Sequence, residues 1–178
     1  MPLLKKKDIP RYNYNDYLQW EGRWELIEGI PYAMSPAPNP YHQKISSKIN
    51  TILNIALERC EKCIALLPVD WKIDEYTIVQ PDNLVICYPL EDKPYITKAP
   101  SIIFEVISES TEKKDREIKY KLYEEQKVLY YVIVDPKKKS IEIYKHNGRK
   151  YKKETISNNL YIFNIEECKI EFDFNKIW

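Results

Sequence analysis

The sequence predicts an α/β protein: a mixed β-sheet core flanked by helices, with a β-hairpin near the N-terminus. Three observations lead there. Runs rich in Ile, Val and aromatics alternate with segments of helical periodicity. The 178 residues, 44% hydrophobic and 31% charged, fit one domain over residues 1–178 whose core is large enough to fold without staples. The 12 prolines are scattered as turn punctuation, and no repeat or low-complexity linker divides the chain.

In chain order, residues 13–20 (NYNDYLQW) read as a short helix with Asn13 as its cap. RWELIEGIPYAM alternates about a Glu28-Gly29 turn as a β-hairpin does. Asn39-Pro40 opens the clearest helix, with a cap residue, proline in the first turn, and Ile45, Ile49, Ile52, Leu53, Ala56 and Cys60 at helical spacing. IALLPVDWKI, TIVQPDNLVICY and PSIIFEVIS read as central strands, parted by the breakers DEY and PLEDKPYITKAP. Ser110 or Thr111 is expected to cap a second helix running to residue 126, with Lys119 and Tyr123 on one side of it. LYYVIVD and SIEIYKHNG follow as a strand pair across DPKKK, and RKYKKETI adds another strand, all in one sheet. From Glu154 onward the chain reads as an acidic tail.

Composition excludes several chemistries. With only Gly22, Gly29 and Gly148 present, neither a phosphate-cradling P-loop, nor a GxGxxG turn, nor a GxSxG nucleophile elbow can be written. His42 and His146 are the two histidines, which leaves little scope for a Ser-His-Asp arrangement. A net charge of +1 argues against nucleic-acid binding through bulk charge and leaves room for a local basic patch. The opening MPLLKKKDIPRYNYNDY carries lysines with no apolar run behind them, and no stretch approaches the roughly 18 apolar residues of a membrane span. A cytoplasmic protein off the membrane is expected. Cys60, Cys63, Cys87 and Cys168 then read as buried, reduced thiols. The Cys60-x-x-Cys63 pair lacks the second CxxC or HxxxH of a zinc site, and it ends a helical pattern rather than opening one.

The chemistry is expected where polar residues interrupt strands. Asp82 follows Pro81 in IVQPDNLVI, and Glu105 sits in the middle of SIIFEVIS. A buried carboxylate without a partner costs several kcal/mol, so acids in two neighbouring strands point to a cation between them. Mg²⁺, with Mn²⁺ as a substitute, suits one or two carboxylates completed by water. Two carboxylates held close without such a cation should repel. Lys119, on the helix after the Glu105 strand, can hold an attacking water and balance charge on a phosphorus-bound oxygen, with Lys121 as the second candidate.

At these residues the chain resembles a known family. Pro81-Asp82, FEVIS at 104–108, Asp115-x-x-x-Lys119-x-x-x-Tyr123 and Val128-x-x-Tyr131 look like the Uma-two type endonucleases, formerly a family of unknown function, of the PD-(D/E)XK or restriction-endonuclease-like superfamily. YLQWEGRWELIEGIPYAMSPAPNPYHQKI is similar to that family's ELIDG and MSP...H signatures, so the likeness spans residues 14–145. It implies a restriction-endonuclease-like core that cleaves DNA, with Asp82 and Glu105 as Mg²⁺ ligands and Lys119 as catalytic lysine. Ile107 stands where the superfamily usually has its lysine, so that function would have to come from the helix. The resemblance also hints at outer acids or second-metal ligands in Glu25 and Asp70.

Each residue also has a plainer reading. Glu105 and Lys119 would satisfy one another as a salt bridge with no metal, as in a DNA-binding or assembly module that keeps the fold without cutting. His42 could touch a phosphate or simply pack in the first turn of its helix. Tyr123 could orient Lys119 or hydrogen-bond the scissile phosphate, or pack as most of the 15 tyrosines must. Residues 137–153 hold eight Lys or Arg and one Glu, which suits a phosphate backbone or a solvated hairpin. A homodimer is expected by analogy, because cutting two strands takes two sites.

Overall fold

The computed structural model describes residues 10–34 and 39–178. The lysine-rich start and the Ser-Pro-Ala-Pro stretch within the MSP...H signature lie outside the described residues. In chain order the elements are α1 (Tyr14–Tyr17), β1 (Trp24–Ile27), β2 (Ile30–Ala33), α2 (Pro40–Leu57), β3 (Ile64–Leu66), β4 (Trp71–Asp74), β5 (Thr77–Val79), β6 (Asn83–Ile86) and β7 (Ile102–Val106). A π-helical stretch, Lys114–Lys119, then runs into α3 (Tyr120–Glu125). It is followed by β8 (Tyr130–Asp135), β9 (Ser140–His146), β10 (Tyr151–Lys153), β11 (Leu160–Ile165), β12 (Cys168–Asp173) and a closing 3₁₀ turn.

These elements form two compact units, each assembled from several stretches of chain. The first comprises Met1–Pro38, Val69–Gln80 and Asp92–Lys98; the second comprises Asn39–Pro68, Pro81–Glu91 and Ala99–Trp178. In the first unit Asn13 caps α1 through its side chain, and the Asp16 carboxylate returns a bond to the Asn13 N–H. The β1–β2 hairpin turns at Glu28 and Gly29, both with positive φ, as a tight turn matched to the strand twist demands. The sheet order is β2-β1-β5-β4, antiparallel throughout.

The second unit is built on a six-stranded sheet, β10-β9-β8-β7-β6-β3. It is mixed, because β7 and β8 run parallel and every other pair antiparallel. Every residue of β7 and β8 is buried, as expected of the middle of a sheet covered on both faces. On one face Ile45, Ile49 and Leu53 of α2 pack against Val85, Phe104, Val106 and Val132. Removing one such side chain to Ala costs about 2–5 kcal/mol. Tyr123 of α3 lies against Tyr131 of β8 on the other face, ring centroids 5.0 Å apart.

Several expectations need correction. Two of the apolar runs are not single strands. IALLPVDWKI breaks at Pro68 into β3 and β4, TIVQPDNLVICY breaks at Pro81 into β5 and β6, and in each case the halves join different sheets. Proline has no N–H to give a ladder, so each break falls where pairing must stop. Among the described residues there are therefore three sheets rather than one, the third being the β11–β12 hairpin in what reads as an acidic tail. Phe163, Ile165, Ile170 and Phe172 of that hairpin enter the same core as α2, while Leu160, Ile162 and Asn164 face out. The helix after β7 follows a turn in which the Ser108 carbonyl accepts from the Thr111 and Glu112 N–H groups, and Thr111, one of the two expected cap residues, takes the first helical bond, its carbonyl accepting from the Asp115 N–H.

The cysteines are paired, not reduced: Cys63 with Cys87 and Cys60 with Cys168. Ile64 of β3 lies opposite Ile86 of β6, so Cys63 and Cys87, one residue further out, face each other with Cα atoms 4.0 Å apart. Cys60, just past α2, meets the first residue of β12. Chain spacing cannot show which strand ends become neighbours. Among the described residues, no helix is long and apolar enough to cross a membrane.

Candidate active site

Glu105 is the fourth residue of a wholly buried strand and is itself only 3% exposed. Its Oε1 accepts two hydrogen bonds, from Lys119 Nζ at 2.8 Å and from the Tyr123 hydroxyl at 2.8 Å. Lys119 is 2% exposed and lies 3.8 Å from Asp115 Oδ1. Four-residue spacing brings Asp115, Lys119 and Tyr123 to one side of the helix, which faces β7 and β8. The π-helical turns carry Asp115 and Lys119; such turns inside helices concentrate at functional sites. Tyr131, on the neighbouring strand, donates its hydroxyl to the Asp115 carbonyl at 2.9 Å. Burial, reinforced by the Asp115 and Glu105 charges, pushes that phenol well above its ordinary range, so it stays a donor.

Asp82 stands at the head of β6. Asn83 lies opposite Phe104, so Asp82, one residue earlier, comes level with Glu105 on the adjacent strand. Its Oδ2 accepts from the Val106 N–H at 2.8 Å and lies 3.1 Å from His42 Nε2. The expectation of two uncompensated carboxylates is thereby corrected: each acid has protein partners of its own.

His42 and Asp82 side chains are each 15% exposed, so they form the lip of a site whose floor is Glu105 and Lys119. Asn39 sets the lip by accepting from the His42 N–H at 2.8 Å, which starts α2 there. Below it, Ser46 donates to the Asn83 side-chain oxygen at 3.0 Å, and Asn83 Nδ2 donates to the Ser46 carbonyl at 3.1 Å. This buried exchange ties β6 to α2 beside Asp82. The sequence reading missed both residues, although an Asn opening the apolar run NLVIC was a visible signal. An open cleft of about 250 Å³ begins at His42 and is lined further by Tyr41, Ser108, Glu109 and Lys137.

The model of the Uma2 family, described as "Putative restriction endonuclease", matches residues 14–171. The chain belongs to the Uma2 family. An uncharacterized protein of the cyanobacterium Synechocystis sp. is 31% identical over 148 residues, which is 78% of this chain and 76% of that protein. A crystal structure from Anabaena variabilis, described as "a putative nuclease", superposes with a TM-score of 0.75 at 15% identity, covering 93% of this chain and 96% of that one. At that identity the likeness shows the nuclease-like fold.

In this Uma2 chain the position two residues after Glu105 is the buried Ile107, and the cation beside Glu105 comes from the helix. Lys121 is not brought to the site. Its side chain is 76% exposed and lies 3.8 Å from Glu125, because two residues of helix turn it away from the face that Lys119 occupies. Glu25 and Asp70 belong to the first unit. Glu25 is fully buried and accepts from the Gln80 N–H at 2.9 Å. Asp70 accepts from the Tyr17 hydroxyl at 3.1 Å and from Gln80 Nε2 at 2.7 Å. Burial raises the Asp70 carboxyl against the opposing pull of those two bonds. Gln80 thus joins the two acids, and nothing in the sequence singled it out.

The donor set suits a hard cation. Asp82 and Glu105 present carboxylate oxygens from adjacent strands that could hold such an ion, and both bonds to Asp82 fall on one of its two oxygens. Among the described residues no three His, Cys, Asp or Glu side chains gather as a complete ligand set. Water and substrate oxygens would complete the coordination, as is usual for Mg²⁺.

Proposed function

We propose that this protein is a Mg²⁺-dependent endodeoxyribonuclease, Mn²⁺ serving as a substitute, with Asp82 and Glu105 as metal ligands and Lys119 as the catalytic lysine. The observation that carries the reading is the buried Glu105 carboxylate meeting Lys119 and Tyr123 on a single oxygen, level with Asp82 on the next strand. The bound ion would supply Lewis-acid charge and lower the pKa of water near the scissile phosphodiester. Lys119, held by Glu105 and close to Asp115, orients the attacking water and offsets negative charge on the phosphorus-bound oxygens. Tyr123 keeps Glu105 aimed at the Lys119 ammonium by donating to the same carboxylate oxygen. His42 fixes Asp82 from the α2 side, and the cleft beside it gives the nucleic-acid strand a path to the acids. Cutting both strands takes two such sites, so the working form is taken to be a homodimer.

Nicking of supercoiled plasmid in Mg²⁺ or Mn²⁺ tests the assignment. Alanine at Asp82, Glu105 or Lys119 should each lower the cutting rate by about 10² or more. Equal nicking by wild type and Lys119→Ala would remove the lysine from the mechanism and point to a contaminating nuclease. The second reading, a DNA-binding or assembly module that does not cut, draws support from the direct Lys119–Glu105 bond, which satisfies the buried acid without a metal. Absence of cutting by wild type under every divalent-metal condition would favour it.

A further inference from the structure

The basic segment at residues 137–153 is not one uniform patch. Lys137 pairs with Glu109, Lys138 with Asp135 and Glu112, and Lys153 with Glu142. Lys139, Lys145, Arg149, Lys150 and Lys152 form no ion pair among the described residues. The fold lines these five up. Lys139 ends the β8–β9 turn, Lys145 lies near the far end of β9, Arg149 and Lys150 form the β9–β10 turn, and Lys152 is on β10, the last strand of the sheet. Lys152 stands directly opposite Lys145 in the β10–β9 register, and Lys145 also sits 5.5 Å from the Tyr130 ring centroid.

Two lysines placed face to face on adjacent strands repel and weaken the pairing. They become favourable when an anion lies across both. The remaining 161 residues carry 20 Lys or Arg against 26 Asp or Glu, so this concentration of unpaired cation is local. β9 is seven residues long, roughly 20 Å, comparable with about six base pairs of duplex, and one of its ends adjoins Lys137 at the cleft.

We propose that the β9–β10 edge, through Lys145, Arg149, Lys150 and Lys152, grips the phosphate backbone of duplex DNA without reading its sequence. This grip would anchor the duplex at a distance from the cleft while another part of it reaches the cleft and is cut. The proposal rests on the nuclease reading for its choice of polyanion, and binding can be measured apart from cutting. The contrary view is that lysines on an edge strand serve only to keep sheet edges from joining.

Fluorescence anisotropy of a labelled duplex of about 20 base pairs, in EDTA and over a salt series, decides between them. Arg149→Ala/Lys150→Ala/Lys152→Ala should weaken binding at least about tenfold and make the slope of log K against log salt shallower by about three. Arg149→Lys/Lys150→Arg/Lys152→Arg should keep wild-type affinity, and thermal melting should show all variants folded, since the three side chains are exposed. Unchanged affinity and slope in the alanine variant, or no duplex binding by wild type, overturns the proposal. Hairpin-dependent binding with no metal-dependent cutting keeps the proposal and sinks the nuclease reading. Cutting that survives the alanine variant undiminished at physiological salt does the reverse.

Discussion

Lys119 and Glu105 are each almost wholly buried, and their bond decides the energetics of the site. Removing one member of such a pair is costly because the other is left charged in a poor solvent; removing both charges is far milder. Lys119→Met should therefore destabilise the protein by about 3–5 kcal/mol in urea unfolding, while Glu105→Gln/Lys119→Met should recover most of that loss. If the double variant is no more stable than Lys119→Met, the pair is not the reason these charges tolerate burial. Glu105 was legible from sequence because a carboxylate inside an apolar run always needs a partner. Lys119 was legible through the helix that follows that run. Gln80 and Ser46 were not, since their bonds join positions far apart in the chain, and Asn83 left only the weaker trace of an uncharged polar residue opening an apolar run.

Among the elements, β9 shows how charge fastens a sheet to a helix. Glu142 accepts from Arg116 on the π-helical stretch, from Lys153 on β10 at 2.8 Å and from Tyr144 at 2.7 Å. Burial alone would raise the Glu142 carboxyl, but these bonds outweigh it and hold it down at about 2, against an ordinary 4.5. A carboxyl depressed by folding stabilises the native state above its ordinary value, and the benefit disappears as pH falls through the folded value. Allowing for partial solvation, wild type should exceed Glu142→Gln by about 1 kcal/mol at neutral pH, a gap that closes between pH 4.5 and about 2. A gap that stays constant down to pH 2 in denaturant titrations would show that packing, not charge, sets it. Element types were readable because periodicity and capping are local. The allotment of half-strands to separate sheets was not, although Pro68 and Pro81 marked both breaks.

For the whole molecule, a ligand that binds only the folded state raises stability by mass action. Mg²⁺ at about ten times its dissociation constant should add roughly 1.4 kcal/mol, or about 3–6 °C in melting temperature for a chain of this size. Asp82→Asn keeps a side-chain oxygen for the Val106 N–H, so its metal-free melting temperature should stay close to wild type while most of the Mg²⁺ rise is lost. Equal shifts in both proteins, or none in either up to millimolar metal, would count against a metal site at these acids. Sequence by itself determined the α/β class, the N-terminal hairpin, the long capped helix and the acids and lysine that carry the family resemblance. Each of these rests on periodicity, capping or a charge set in an apolar run, and all act over a few residues. Tertiary structure alone decided that Lys119 rather than Lys121 reaches Glu105, that Asp82 comes level with it, that four cysteines pair, and that the last hairpin closes the core. Those outcomes depend on which strand ends and helix faces become neighbours, and that is fixed by the burial of the whole apolar surface at once.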